Sequence, residues 1–156
     1  MITNFKIDST DKRILRLLSQ NARVAFLEIA RKLGVSGPAI SQRVQKLSEQ
    51  GIFSDSGIHL NPRAMGYLTC AFIGIQVNLI STTTHEEVFK RIKEIPEIVE
   101  CHHITGKYSL LAKIYARNNE HLKNIIVEKI QSIREIVSTE TFISLEEGFI
   151  RNVPIE

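Results

Sequence analysis

Between residues 36 and 46 of this 156-residue chain stands a set of polar side chains suited to reading another surface. Gly37, Pro38, Ser41, Gln42, Gln45 and Lys46 follow Ser36, interleaved with Ile40, Val44 and Leu47 at i, i+4, i+7. That spacing is helical and commits one face to a core. Ser36 is placed to cap the helix start, and Pro38 falls in its first turn, where a missing N–H costs little. With Ile40 at the centre of the buried face, Pro38, Gln42, Gln45 and Glu49 point the other way, flanked by Ser41 and Lys46. Glutamine can bond N6 and N7 of adenine together, while lysine and arginine hold phosphates. Duplex DNA is therefore the partner this face fits best. Gly37, Pro38, Ser41, Gln42 and Gln45 are the candidates for base edges. Arg23, Arg43 and Lys46 are the candidates for phosphates, with Lys32 a weaker one and bracing of the helix the competing role for Arg43.

Other residues that could do chemistry are less well arranged. Cys101-His102-His103, with His85 and His121 elsewhere, offers metal-ligand types. On a strand Cys101 and His103 share a face and His102 points away, so the triplet cannot chelate one ion unaided. A metal-responsive regulator using Cys101 and His103 is the competing functional reading; no cofactor or resident metal is expected. Catalysis is not expected either. The chain has no nucleophile motif and no phosphate loop, and Glu146 and Glu147 on one strand face opposite sides.

The elements that must position these residues follow from the pattern. Asp8 and Asp11 resemble a capping box opening a helix with Ile14, Leu15, Leu17 and Leu18 on its apolar stripe. Phe26–Leu33 restarts the pattern with Leu27, Ile29, Ala30 and Leu33 for the core. Gly34 is the turn residue, and Val35 and Ile40 are expected to hold the interhelix angle. Three helices of this kind make a helix-turn-helix unit. Ile52-Phe53 and Ile58-His59-Leu60 around Ser54-Asp55-Ser56-Gly57 predict a β-wing, without Lys or Arg at its tip. Asn61–Gly66, with Pro62 and Gly66 as breakers, reads as a linker.

Beyond it the order is strand Tyr67–Asn78, helix Thr84–Ile95, strands Ile98–Thr105 and Tyr108–Ala116, helix Asn118–Ile133 and strand Ser138–Glu147. That βαββαβ order is the ferredoxin-like split unit. The fold class is therefore α+β: a winged helix-turn-helix domain over residues 1–60, a linker over 61–66, and a ferredoxin-like regulatory and oligomerisation domain over 67–156. One face of such a sheet is covered by helices, and the open face favours pairing with a second copy.

Composition agrees. Residues 1–63 hold ten Lys/Arg against five Asp/Glu, whereas residues 64–156 hold ten against twelve, so the basic surplus sits in the first domain. No apolar run approaches the ~18 residues of a membrane span, and no secretion signal is read at the N-terminus. Two cysteines, Cys70 and Cys101, fit a reducing cytoplasm.

Taken together, Ile7-Asp8-x-x-Asp11-x-x-Ile14-Leu15, Arg23, Ala30…Gly34-Val35-Ser36, Arg43-Val44-x-x-Leu47, Gly51-Ile52, Asn61-Pro62…Gly66, Glu100-Cys101-His102, Thr105-Gly106-x-Tyr108 and Thr139-x-Thr141 resemble the Lrp/AsnC (feast/famine) transcriptional regulators. Arg43 is what that family carries just before Val44. The resemblance implies homodimers paired through the C-terminal sheets and assembled further into octamers, with the DNA-binding domains around the rim. It also implies an effector pocket, commonly for a free amino acid, involving Thr105, Gly106, Tyr108, Thr139 and Thr141. Ser109 and Asn118 stand where the family often carries aspartates. Carboxylates there would anchor an α-ammonium group, a charge-assisted bond being about twice as strong as a neutral one. Their replacement leaves the effector open.

Overall fold

The computed structural model describes residues 7–53, 59–78 and 84–156. They form two compact units, one gathering the three N-terminal helices with Phe149–Glu156, the other running from His59 to Gly148. The order of elements in the sequence assigns that C-terminal segment to the second domain; the structure assigns it to the first. Within the first unit, the Arg16 guanidinium donates to the Ile155 carbonyl at 2.9 Å.

In the first unit α1 is Ser9–Gln20, α2 Phe26–Leu33 and α3 Gly37–Glu49. The box ahead of α1 is formed in full. Asp8 accepts from the Asp11 N–H at 2.8 Å, and Asp11 accepts from the Asp8 N–H at 3.1 Å. Gly34 ends α2 in the left-handed region at φ 69°, where a side chain would be strained. Ser36 caps α3, its Oγ accepting from the Ala39 N–H at 3.3 Å. Ile14, Ile29, Ala30 and Ile40 are the buried centre, with Leu17, Leu18, Val24, Leu33 and Val44 around them.

Two side chains expected inside are outside. Leu27 is 57% exposed and Val35 39% exposed. Leu27 lies two residues before Ile29, about 200° around the helix from it. Val35 spends its backbone N–H on the Ala30 carbonyl at 3.1 Å, closing the turn. Ile52 likewise bonds back to Leu47 at 3.0 Å. Neither Ile52-Phe53 nor His59-Leu60 forms a strand, and the rest of the expected wing, residues 54–58, lies outside the described residues. The linker is a hydrogen-bonded turn: Asn61 Oδ1 accepts from the Ala64 N–H at 3.2 Å.

The second unit is a four-stranded antiparallel sheet in the order β2-β3-β1-β4. Its strands are β1 Thr69–Val77, β2 Ile98–His103, β3 Leu110–Ala116 and β4 Ile136–Ser144, with α4 His85–Lys93 and α5 Asn119–Asn124 on one side. Register fixes the faces. Ala71, Ile73 and Ile75 stand opposite Ile114, Ala112 and Leu110, and all six are buried with Val88 and Ile92 of α4 and Leu122 and Ile125 beyond. Each such isoleucine contributes about 1.5–3 kcal/mol by burial. The other face carries Phe72 opposite Phe142 and Lys113, and Cys70 opposite Tyr115.

The expected single helix after Asn118 changes character. Residues Ile125–Ile130 form a π-helical turn, with Gln131 N–H bonding to the Ile126 carbonyl at 2.8 Å. Within it Ile125 and Ile130 are buried. Lys129 reaches Glu97 at 2.7 Å. Strand β4 stops at Ser144, three residues short of the expected Glu147.

Candidate nucleic-acid interface and effector turn

Helix α3 separates its two jobs cleanly. Ile40 and Leu47 are buried, whereas Ser36, Pro38, Ser41, Gln42, Gln45 and Lys46 are exposed and Gly37 partly so. Gln45 Nε2 donates to Glu49 at 2.9 Å along the outer face. Gln42 and Lys46 point outward beside it. The Ser36 hydroxyl accepts from the backbone and keeps its own proton to donate. Arg23 is exposed, its backbone N–H held by Asn21 Oδ1 at 3.0 Å. Lys32 is tied to Glu28 at 2.8 Å.

Arg43 turns part of its guanidinium back into the unit. One terminal nitrogen donates to Asp8 at 2.6 Å and to Asp11 at 2.7 Å, joining α3 to the capped start of α1. Its charge is thus engaged inside the unit, which supports bracing. The Asp11 backbone N–H, and next the Arg43 guanidinium, hold the Asp8 carboxyl below its ordinary value. A carboxyl depressed by folding stabilises the fold above its unfolded value of 3.8, and that contribution is lost as pH falls through the lower folded value. Exchange protection of α1 and α3 should therefore fall in acid below that window. Arg43→Ala should shrink the pH dependence measured by hydrogen exchange; an unchanged profile would remove the brace.

The effector residues are distributed in a way the sequence does not disclose. Gly106, at φ 120°, turns the chain between β2 and β3, with Thr105 exposed beside it. Tyr108 lies on the open face of the sheet, its ring against Gly74. Lys107 reaches across to Glu140 of β4 at 2.6 Å and sits 4.9 Å over the Tyr108 ring. Thr139 and Thr141 stand opposite Ile75 and Ile73, hence on the helix-covered face. There Thr139 Oγ1 takes a hydrogen bond from Gln131 at 2.9 Å. Within one chain the turn and the threonines do not share a face.

Ser109 and Asn118 are also apart, separated by the length of β3, about 20 Å. Ser109 Oγ accepts from the Val77 N–H at 3.3 Å, and Asn118 caps α5 by accepting from the His121 N–H at 2.8 Å. Each has a backbone task, and in one copy they cannot grip the same ammonium group. Gly74 and Glu140 are missing from the site as read from sequence. An isolated glycine within a strand pattern signals close approach of another group, and that is the available clue.

The metal-type residues are taken up by packing. His103 stacks on Phe89 at 5.1 Å and meets His85 edge-on at 6.0 Å, while His102 pairs with Glu100 at 2.7 Å. Burial pushes the Cys101 thiol up. Among the described residues no group of three or more His, Cys, Asp or Glu side chains could hold a metal ion.

Residues 7–48 match the AsnC-type helix-turn-helix domain and residues 70–153 the Lrp/AsnC ligand binding domain. The chain belongs to the Lrp/AsnC family. It is 37% identical over 147 residues to the regulatory protein AsnC of Haemophilus influenzae, covering 94% of this chain and 97% of that one. The structure of Escherichia coli AsnC superposes with a TM-score of 0.88 at 35% identity, covering 96% of this chain and 99% of that one. The Mycobacterium tuberculosis feast or famine regulatory protein, complexed with L-methionine, shares the fold at 23% identity and a TM-score of 0.87, covering 97% and 100%. As a Lrp/AsnC protein the chain is a DNA-binding transcriptional regulator and not an enzyme, and nothing in these relatives favours the metal-responsive reading.

Proposed function

We propose that this Lrp/AsnC regulator reads DNA with the exposed face of α3 and pairs through the open faces of its sheets. A small-molecule effector, an amino acid in the first instance, acts at the turn Thr105–Tyr108. The observation that carries this is the division of α3: a fully buried Ile40 fixes the helix while Ser41, Gln42, Gln45 and Lys46 stand clear of the core. The N-terminus of α3, capped by Ser36 and carrying no acidic residue in its first turn, favours a phosphate beside Gly37 and Pro38. Arg23 and Lys46 are the side-chain phosphate contacts of this proposal, and Arg43 the brace.

For the pairing, Phe72 and Phe142 are 36% and 49% exposed on the open face, next to the half-buried Tyr115. Lys113 there is almost covered. Burial opposes its charge, but the Tyr115 hydroxyl and the nearby acidic groups outweigh that and hold its pKa above the ordinary value. Such a face, with exposed aromatic rings and with Lys107 and Lys113 paired to Glu140 and Glu147, fits a second copy. Higher assembly to an octamer follows from the family resemblance. Two free thiols, together with the absence among the described residues of any helix able to cross a membrane, are consistent with the cytoplasmic location we assign.

Site selection from a random-sequence library tests the DNA reading. Gln42→Ala should flatten preference at one position of each half-site, at a cost of about 1–3 kcal/mol on the preferred base. Lys46→Ala should weaken all sequences alike and reduce the salt slope by about one. Unchanged relative affinities in Gln42→Ala would refute its base-reading role.

A further inference from the structure

We infer that Gly74 is a positioning residue of the effector turn: its missing side chain is what lets Tyr108 lie on the sheet and hold Thr105 and Gly106 where they stand. The inference rests on the reading of that turn as the effector site. The observation is steric. A Cβ built on Gly74 would come 2.7 Å from Tyr108 Cγ, 2.6 Å from Cδ2 and 2.8 Å from Cε2. These atoms span the near edge of the ring, and Cγ is its point of attachment. Tipping the ring therefore cannot relieve the contact; the turn that carries Tyr108 has to move.

Nor is the turn free to move by itself. On one flank the Ser109 N–H donates to the Ile75 carbonyl at 2.9 Å, and Ser109 Oγ receives the Val77 N–H at 3.3 Å. Across the ring, Lys107 is anchored on Glu140 at 2.6 Å and lies over the aromatic face. Glu140 is itself the register partner of Gly74 on β4, and Leu111 its partner on β3. The ring is thus clamped between the β1 backbone below and an ammonium above. Gly74 has ordinary extended backbone, so nothing in its own conformation demands glycine. The demand comes from the ring.

The test uses the full-length protein and three variants, Gly74→Ala, Tyr108→Ala and the double variant, read by hydrogen exchange and melting temperature. In Gly74→Ala the amides of residues 104–110 should exchange about tenfold faster or more, while α1–α3 keep their protection. In the double variant the added methyl has room, so it should melt no lower than Tyr108→Ala alone. That strong non-additivity is expected only of groups in contact. The double variant also covers the case in which Gly74→Ala fails to fold. Additive effects of the two changes, or unchanged exchange at 104–110 in a folded Gly74→Ala, would overturn the inference.

A second arm titrates each of the twenty standard amino acids by thermal shift. Any that stabilises the wild type should need about tenfold more to do so in Gly74→Ala. An equal midpoint in both proteins would overturn the positioning role. If none stabilises the wild type, the amino-acid reading of the turn falls while exchange and non-additivity still decide the role of Gly74.

Discussion

Phe142→Asp should turn the protein into a monomer and lower its affinity for a DNA site of two half-sites by about 10²- to 10⁴-fold. The size of the effect comes from linkage, since the surface that meets DNA is unaltered. One α3 reaches only a few base pairs, so a single copy binds weakly; a pair binds its second half-site as an intramolecular event. Phe142 lies on edge strand β4, opposite Phe72. It is about half exposed, and a substitution at such a surface position usually costs the monomer fold no more than ~0.5 kcal/mol. A carboxylate buried between two aromatic faces loses its hydration beside a lysine, Lys113, that already pairs with Glu147, and would drive the faces apart. Sedimentation should show a single protomer mass at micromolar concentration, and binding to an isolated half-site should stay as in the wild type. A variant that still sediments as a dimer would place the pairing surface elsewhere.

The second large effect is expected at the centre of the first unit. Ile40→Ala should remove about 2–5 kcal/mol from a unit whose buried cluster, among the described residues, is Ile14, Ile29, Ala30 and Ile40. A core that small supports only a few kcal/mol in total, so the three helices should lose protection and sequence-specific DNA binding should vanish. The sheet unit has its own core and should keep its slow amides and its ability to pair. Ile40→Val, at about 0.5–1.5 kcal/mol, provides the graded control and should leave a weakened but folded reader. Hydrogen exchange resolved by segment distinguishes the two units. Full protection of α1–α3 in Ile40→Ala would mean that the unit draws stability from outside the core described.

The architecture and the DNA-reading helix are legible in the sequence because each depends on local rules. Periodicity marks the buried Ile40 and Leu47, Ser36 and Gly34 mark the helix ends, and alternation marks the strands whose order gives βαββαβ. Asp8 and Asp11 announce a capping box that the structure forms in full. What Arg43 does with its charge is not local: Asp8 and Asp11 lie more than thirty residues away in sequence, and only the packing of α3 on α1 brings them together. The π-helical turn after α5 is hidden as well. Leu122, Ile125, Ile126 and Ile130 look continuous as an α-helical stripe, and nothing in that spacing announces the wider turn.

The effector residues show the limit most clearly. The sequence by itself determined that Thr105-Gly106-x-Tyr108 is a turn and that Thr139 and Thr141 share a strand face. Register decided the rest. An antiparallel partner one residue away would have swapped the two faces of β4, because side chains alternate. The observed pairing puts Thr139 and Thr141 with the helices and Glu140 with Tyr108. Ser109 and Asn118, which the sequence offers as one altered site, are held at opposite ends of β3 by backbone hydrogen bonds. Gly74 carries no chemistry to be read, and its importance exists only because a ring from a distant turn lies on it.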